Sequence, residues 1–211
     1  MRTDHLIRAL AADDKRASSL ARFLYVALAA AFVLASILFA IRLGPRPDIA
    51  AVALDVRFLF KFAVTLLLAA TALALALRLA RPGAETGYAW LVLAAAPALL
   101  VFGVLAELAT MPAVSWGARL VGTNWSYCLT YVPLLSLPLL AATLIGLRHG
   151  APTQPALAGA IAGILAGGLG AALYAAHCTD DSPLFVATWY TIAIAGMAIL
   201  GSLIGRKILR W

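Results

Sequence analysis

Six long apolar runs, separated by short polar breaks, fill most of this 211-residue chain. A helix needs roughly 20 apolar residues to cross about 30 Å of hydrocarbon, and the runs fall at about 22–41, 58–80, 88–108, 127–147, 156–176 and 184–204. A soluble core does not account for them. The chain is 64% hydrophobic and 12% charged, whereas soluble domains carry about 25% charged residues. The expected fold is an all-α membrane protein, a six-transmembrane-helix bundle over residues 22–211, preceded by a short amphipathic segment over residues 1–21. Short connections imply antiparallel neighbours and leave no room for a separate catalytic domain. The first run exceeds the roughly 7–15 residues of a cleaved signal's apolar core and starts late, so it is expected to stay as a helix.

Basic residues orient such a bundle. With the N-terminus cytoplasmic, eleven of the 16 Lys and Arg residues fall on the inner side, among them Arg2, Arg8, Arg78, Arg81, Arg148 and Arg206. The five outer bases, Arg42, Arg46, Arg57, Lys61 and Arg119, are balanced by five outer acids. Both termini are then expected in the cytoplasm. The net charge of +7 reads as topology. Neither a long basic run nor a basic–aromatic stripe is present, so no direct nucleic-acid binding is expected.

Residues 3–16 pattern as a short amphipathic helix. Thr3 or Asp4 is placed to cap it, and Leu6, Ile7 and Leu10 share one face. Such a helix either lies on the inner leaflet or docks on a soluble partner. Gly44-Pro45-Arg46-Pro47, Arg81-Pro82-Gly83 and residues 150–155 are breaks between helices. The longest outer loop is expected at about 108–126, where Trp116 and Trp125 suit a membrane interface. In the fifth run Gly159, Gly163 and Gly167 recur every fourth residue, and Gly201 and Gly205 do so in the sixth. Small residues at that spacing let helices approach closely in lipid, which favours packing within the bundle over homodimerisation.

Chemistry-bearing residues gather at one rim. Cys128 opens the fourth run and Cys178 closes the fifth, and both face the outer side. His177, Asp180 and Asp181 flank Cys178, and Glu107 ends the third run at the same level. Thiolates and imidazole favour soft or borderline metals such as copper, zinc or cadmium, so Cys128, Cys178, His177, Asp180, Asp181 and Glu107 are candidate ligands. The spacing matches no closed zinc motif. A disulfide is equally allowed on an oxidising side, and inert packing is the third reading. Lys61, at a helix end, is expected to snorkel. Glu107 is expected either at the cysteine site or paired with Arg57, Lys61 or Arg119. Serine-protease sets, phosphate loops, HExxH and haem pairs are lacking, and no obligatory cofactor is expected. Asn124-Trp125-Ser126 fits a glycosylation sequon by chance.

Several segments together resemble the NrsF-type (negative regulator of sigma F) membrane anti-sigma factors. They are the start from Arg2 to Asp13 (RTDHLIRALAAD), Gly150-Ala151-Pro152-Thr153, the stretch from His177 to Tyr190 (HCTDDSPLFVATWY), and the end, Leu209-Arg210-Trp211. The resemblance runs the length of the chain. It implies a protein of the bacterial inner membrane, without catalysis, that sequesters an extracytoplasmic-function sigma factor through its cytoplasmic N-terminus. Thr3, Asp4, Leu6, Ile7, Arg8 and Leu10 would be the sigma-binding residues. It further implies release of the sigma factor under periplasmic heavy-metal or oxidative stress sensed by Cys128 and Cys178. Two other classes compete. A small transporter or channel wants ionisable groups near the midplane, and Pro133 and Pro138 interrupt the fourth run without any. A membrane thiol–disulfide oxidoreductase usually carries a close CxxC pair, which this chain lacks.

Overall fold

The computed structural model describes residues 3–84 and 86–210, with the side chains of Leu6 and residues 9–19 outside that description. Among these residues ten α-helices follow one another: α1 Thr3–Arg42, α2 Ile49–Val52, α3 Val56–Leu79, α4 Gly87–Leu93, α5 Ala95–Thr110, α6 Trp116–Val121, α7 Trp125–Arg148, α8 Pro155–Ala175, α9 Pro183–Phe185 and α10 Thr191–Ile208. Among the described residues no strand occurs. Six helical stretches of the described residues are long and apolar enough to span a bilayer: Leu20–Arg42, Val56–Leu79, Gly87–Thr110, Trp125–Arg148, Pro155–Ala175 and Pro183–Ile208. Large apolar side chains such as Val26, Ile41, Phe102, Ile145 and Ile199 point outward. A bundle with that exterior suits hydrocarbon as its solvent.

The centre of the bundle is α8, which packs against α10, α3 and α7. Two-thirds of its span, 67%, lies inside, against 11% of Gly87–Thr110, so α4 and α5 form an outer flank resting on α3. The glycines explain why α8 takes the centre. A Cβ on Gly159 would strike the Gly201 carbonyl, and one on Gly163 the Met197 carbonyl. Gly205 lies against Pro155. On other faces, Gly168 sits on the α3 backbone at Thr65 and Gly170 on Ser136 of α7. Backbones in contact gain dispersion and order little side-chain entropy, the main source of helix association in lipid.

Neighbours in sequence are neighbours in space for α7 and α8, α8 and α10, and α3 and α5. One departure from that order is α1, which packs along α7. Its buried residues Leu20, Leu24, Leu28, Ala31 and Ala35 recur at three- and four-residue steps, a single helical stripe. Leu24 fills the notch left by Gly146 of α7, 2.6 Å from where a Cβ would stand. Phe23 meets the His149 ring at a centroid distance of 4.4 Å.

Three boundaries differ from the sequence reading. The N-terminal helix does not stop near residue 16 but continues through the first span as one helix to Arg42. Residues 17–21 contain neither glycine nor proline, so nothing breaks the backbone pattern. The third span divides at Ala94, because Pro97 has no N–H for the Leu93 carbonyl. Residues 113–121 form a short 3-10 turn and α6 where a long loop was expected. By contrast, α7 runs unbroken through Pro133 and Pro138.

Gly163→Leu is expected to destabilise the α8–α10 seam by about 1–3 kcal/mol, the usual cost of overpacking. Gly196→Leu, where a Cβ meets nothing within 4 Å, is the control. Unfolding of both proteins in detergent, followed by circular dichroism, measures the difference. Equal stability of the two would count against the seam.

Candidate functional site

The connection from α8 to α9, residues 176–182, is the meeting point of the bundle at one end. Its geometry begins with Gly44, whose positive φ of 69° turns the chain sharply after α1. That turn brings the Gly44 carbonyl to His177 Nδ1 at 3.0 Å. It also lets the Arg46 N–H donate to the Ala176 carbonyl at 3.0 Å. The Arg46 guanidinium, buried, reaches Asp181 at 2.8 Å and Asp48 at 2.7 Å, and also donates to the Cys178 carbonyl at 3.4 Å. The hydrogen bond to Asp48, opposed by burial and aided by Asp181, raises the Arg46 pKa above its ordinary value. The same bond lowers that of Asp48.

From α3 comes Lys61, with 0% exposure. Its Nζ lies 2.6 Å from Asp181 Oδ1 and donates to the Cys178 carbonyl at 2.8 Å. The expected snorkelling is therefore overturned. Lys61 shares the inward face of α3 with Phe58, Val64 and Thr65, and an ammonium on that face needs an anion beside it, which the half-buried Asp181 supplies.

A third set of contacts comes from the turn before α7. There Asp180 accepts the Thr123 and Asn124 backbone N–H groups at 3.0 and 2.8 Å and the Asn124 side-chain amide at 2.9 Å. Gly122 makes the approach possible: it has a φ of 61°, and a Cβ there would stand 2.5 Å from Phe185 and 2.8 Å from the Asp180 carboxyl carbon. The fourth partner is Glu107 of α5, 3% exposed. It accepts the Ser182 hydroxyl at 2.6 Å and the Leu184 N–H at 3.3 Å, with Arg119 at 3.0 Å and Arg57 at 3.8 Å.

Within this frame lie the two thiols. Cys128 and Cys178 are both free and have no exposure. They share one buried cluster with Val132, Leu135, Tyr174, Phe185 and Tyr190. The Cys178 thiol donates to the Asp180 carbonyl at 3.7 Å, and burial raises its pKa above the ordinary thiol value. Tyr190 closes a π-helical turn, Val186–Tyr190, and its hydroxyl is buried close to the Cys178 thiol. A neutral, desolvated thiol is a poor nucleophile, so the arrangement holds sulfur in reserve.

The six side chains expected as metal ligands are thus not assembled as one set. Cys128 and Cys178 are brought into one cluster, while Asp181, Asp180 and Glu107 are taken up by Arg46 and Lys61, by Asn124, and by Arg119 and Ser182. His177 holds a main-chain carbonyl. Among the described residues no three His, Cys, Asp or Glu side chains form a metal-binding group. Of the N-terminal candidates, Thr3, Asp4, Ile7 and Arg8 are exposed on α1; the side chains of Leu6 and Leu10 lie outside the described set. Arg46 and Asn124 escaped the sequence reading. The one local signal was for Lys61, a charge at i+3 from Phe58 on an otherwise apolar face.

The sequence profile of the family described as NrsF, negative regulator of sigma F, matches residues 10–211. The chain belongs to this family. It is similar over 100% of its length, and of theirs, to two curated NrsF proteins. One is the "Anti-sigma-F factor NrsF" of Caulobacter vibrioides (strain NA1000 / CB15N), 36% identical over 219 residues. The other is the "Probable anti-sigma-F factor NrsF" of Azospira oryzae (strain ATCC BAA-33 / DSM 13638 / PS), 33% identical over 215. No solved structure matches the chain. Membership makes it an anti-sigma factor, a regulator of transcription whose partner is a sigma factor. The NrsF fold thus carries its two free thiols behind a neutralised ionic frame.

Two outcomes follow from this frame. Lys61→Met leaves Asp181 with Arg46 alone, and removing one partner of a buried pair costs about 3 kcal/mol; detergent unfolding should register the loss, and wild-type stability would contradict the pairing. Because the folded-state pKa of Cys178 is raised, its neutral-thiol stabilisation holds below the unfolded thiol value and fades as pH rises above it. Alkylation by iodoacetamide in a Cys128→Ser background should therefore stay slow through pH 8–9 in the folded protein. It should become fast on unfolding in sodium dodecyl sulfate. Equal rates in both states would refute the burial.

Proposed function

We propose that this NrsF chain sequesters an extracytoplasmic-function sigma factor at the bacterial inner membrane through residues 1–21. The observation that carries the reading is the continuity of α1, which begins at Thr3, well before the apolar stretch opens at Leu20. The intervening helix is about 25 Å long at 1.5 Å per residue. A rigid arm of that length, with Asp4, Ile7 and Arg8 exposed, suits helix-in-groove docking. The excess of basic residues beside it supports a cytoplasmic arm and cytoplasmic C-terminus.

The second half of the proposal is that Cys128 and Cys178 receive a periplasmic heavy-metal or oxidative signal. Two free thiols in one cluster suit a two-coordinate soft cation such as copper(I) better than tetrahedral zinc, which wants four ligands. They equally suit oxidation, in which the two thiols surrender two protons and two electrons to an oxidant and join as a disulfide. Either event repacks the end of the bundle that residues 176–182 hold together. The transporter reading draws no support from Lys61, Arg46 and Glu107, which are engaged in ion pairs at one end of the bundle.

Binding of the partner sigma factor to the full chain in nanodiscs tests the first half. Leu6→Asp with Leu10→Asp should weaken it by at least tenfold, about 1.4 kcal/mol; wild-type affinity in the double variant would sink the docking site. Cys128→Ser with Cys178→Ser tests the second half. That protein should bind the sigma factor normally and fail to release it on exposure to cadmium, copper or an oxidant. Normal release would return both cysteines to packing roles.

A further inference from the structure

We propose that α1 is the transmission rod of this protein, gripped at one end by the Cys178 connection and bearing the sigma-binding arm at the other. The proposal rests on the reading that residues 1–21 bind the sigma factor, and it assigns Gly44, Arg46 and His177 as coupling residues that no cysteine chemistry requires. Three observations carry it. First, α1 is one helix from Thr3 to Arg42, about 60 Å long at 1.5 Å per residue. It has no proline, glycine or bulge at which a displacement would be absorbed.

Second, the chain just beyond α1 is clasped to the loop that holds Cys178. The Gly44 and Leu43 N–H groups both donate to the Phe39 carbonyl at 2.9 Å, which ties the turn to the helix end. The Gly44 carbonyl meets His177, the Arg46 N–H meets Ala176, and the Arg46 guanidinium meets Asp181 and the Cys178 carbonyl. Leu38, Phe39 and Leu43 pack against the cluster containing both thiols. A rearrangement of Cys178 therefore pulls directly on the end of the rod.

Third, among the described residues α1 is seated chiefly on α7, with α8 a lesser neighbour. Its buried stripe lies on α7, with Leu24 in the Gly146 notch and Phe23 on His149, while α8 is fastened to α10 by backbone contact. The seam that yields is thus the α1–α7 one. With Leu24 as its seat, a shift at Arg46 is passed to the arm as a rigid movement.

The test uses the full chain in nanodiscs and reads two quantities, affinity for the sigma factor and amide exchange of residues 20–28. Arg46→Gln loosens the clasp far from the arm. Coupled sites typically differ by 5–150-fold in affinity, and a change in sigma affinity of at least fivefold is expected. Ala29→Gly with Ala30→Gly softens the rod at two exposed positions. In that background Arg46→Gln should lose its effect on the arm, because the hinge absorbs the shift. An effect of Arg46→Gln below twofold, or one undiminished by the hinge, overturns the proposal. Should Arg46→Gln fail to fold, His177→Ala, which removes the bond to the Gly44 carbonyl and the ring contact with Tyr174, takes its place with the same expectations. Should wild type not bind through residues 1–21, the sigma-binding reading fails, and exchange decides the rod alone. Faster exchange at residues 20–28 in the clasp variant, absent in wild type, supports it; identical exchange refutes it.

Discussion

The Lys61 ammonium, shut off from solvent and held against Asp181, organises one whole end of the bundle. A buried ion is tolerable only with a partner and with its remaining hydrogen bonds met. Asp181 and the Cys178 carbonyl meet them, and Arg46 with Asp48 completes a neutral set of two cations and two anions. Its four members come from three stretches of chain. The set therefore fixes the first turn, α3 and the α8–α9 connection together, and the thiols inherit that order. Glu107 and Asp180 extend the frame to α5 and to the turn before α7.

The apolar ladder beneath is of another kind. There α8 meets α10 through glycines, where contact is between backbones and leaves little play. At the same time α1 meets α7 through a row of leucines and alanines, a seam of side chains that repacks more readily. The molecule thus combines a stiff core pair, an ionic lid at one end and a long helix laid along the outside.

Much of this was legible in the chain itself. Apolar run length placed the six helical stretches long and apolar enough to span a bilayer to within a few residues, because lipid demands both length and hydrophobicity of a spanning helix. The glycine spacing pointed to close helix approach, and the family resemblance rested on segments that the full-length match covers. What stayed hidden depended on distant partners. Lys61 read as an end-of-helix cation because Asp181 is far away in sequence, and Asp180 and Asp181 read as metal ligands because Asn124, Lys61 and Arg46 are equally remote. The continuity of α1 was missed for a different reason: a shift from polar to apolar composition looks like a boundary, yet the backbone needs a breaker to stop.

The complete burial of both thiols has a kinetic consequence. A reagent meets such sulfur only in the small fraction of molecules whose end loops have opened. At low reagent concentration the rate of modification follows the product of that fraction and the concentration. Once modification outpaces reclosing, it reaches a ceiling set by opening alone. The ionic lid then acts as a timer: dose beyond a threshold no longer hastens the chemistry, and the strength of the ion pairs that hold the end loops closed sets how long the thiols outlast a brief exposure.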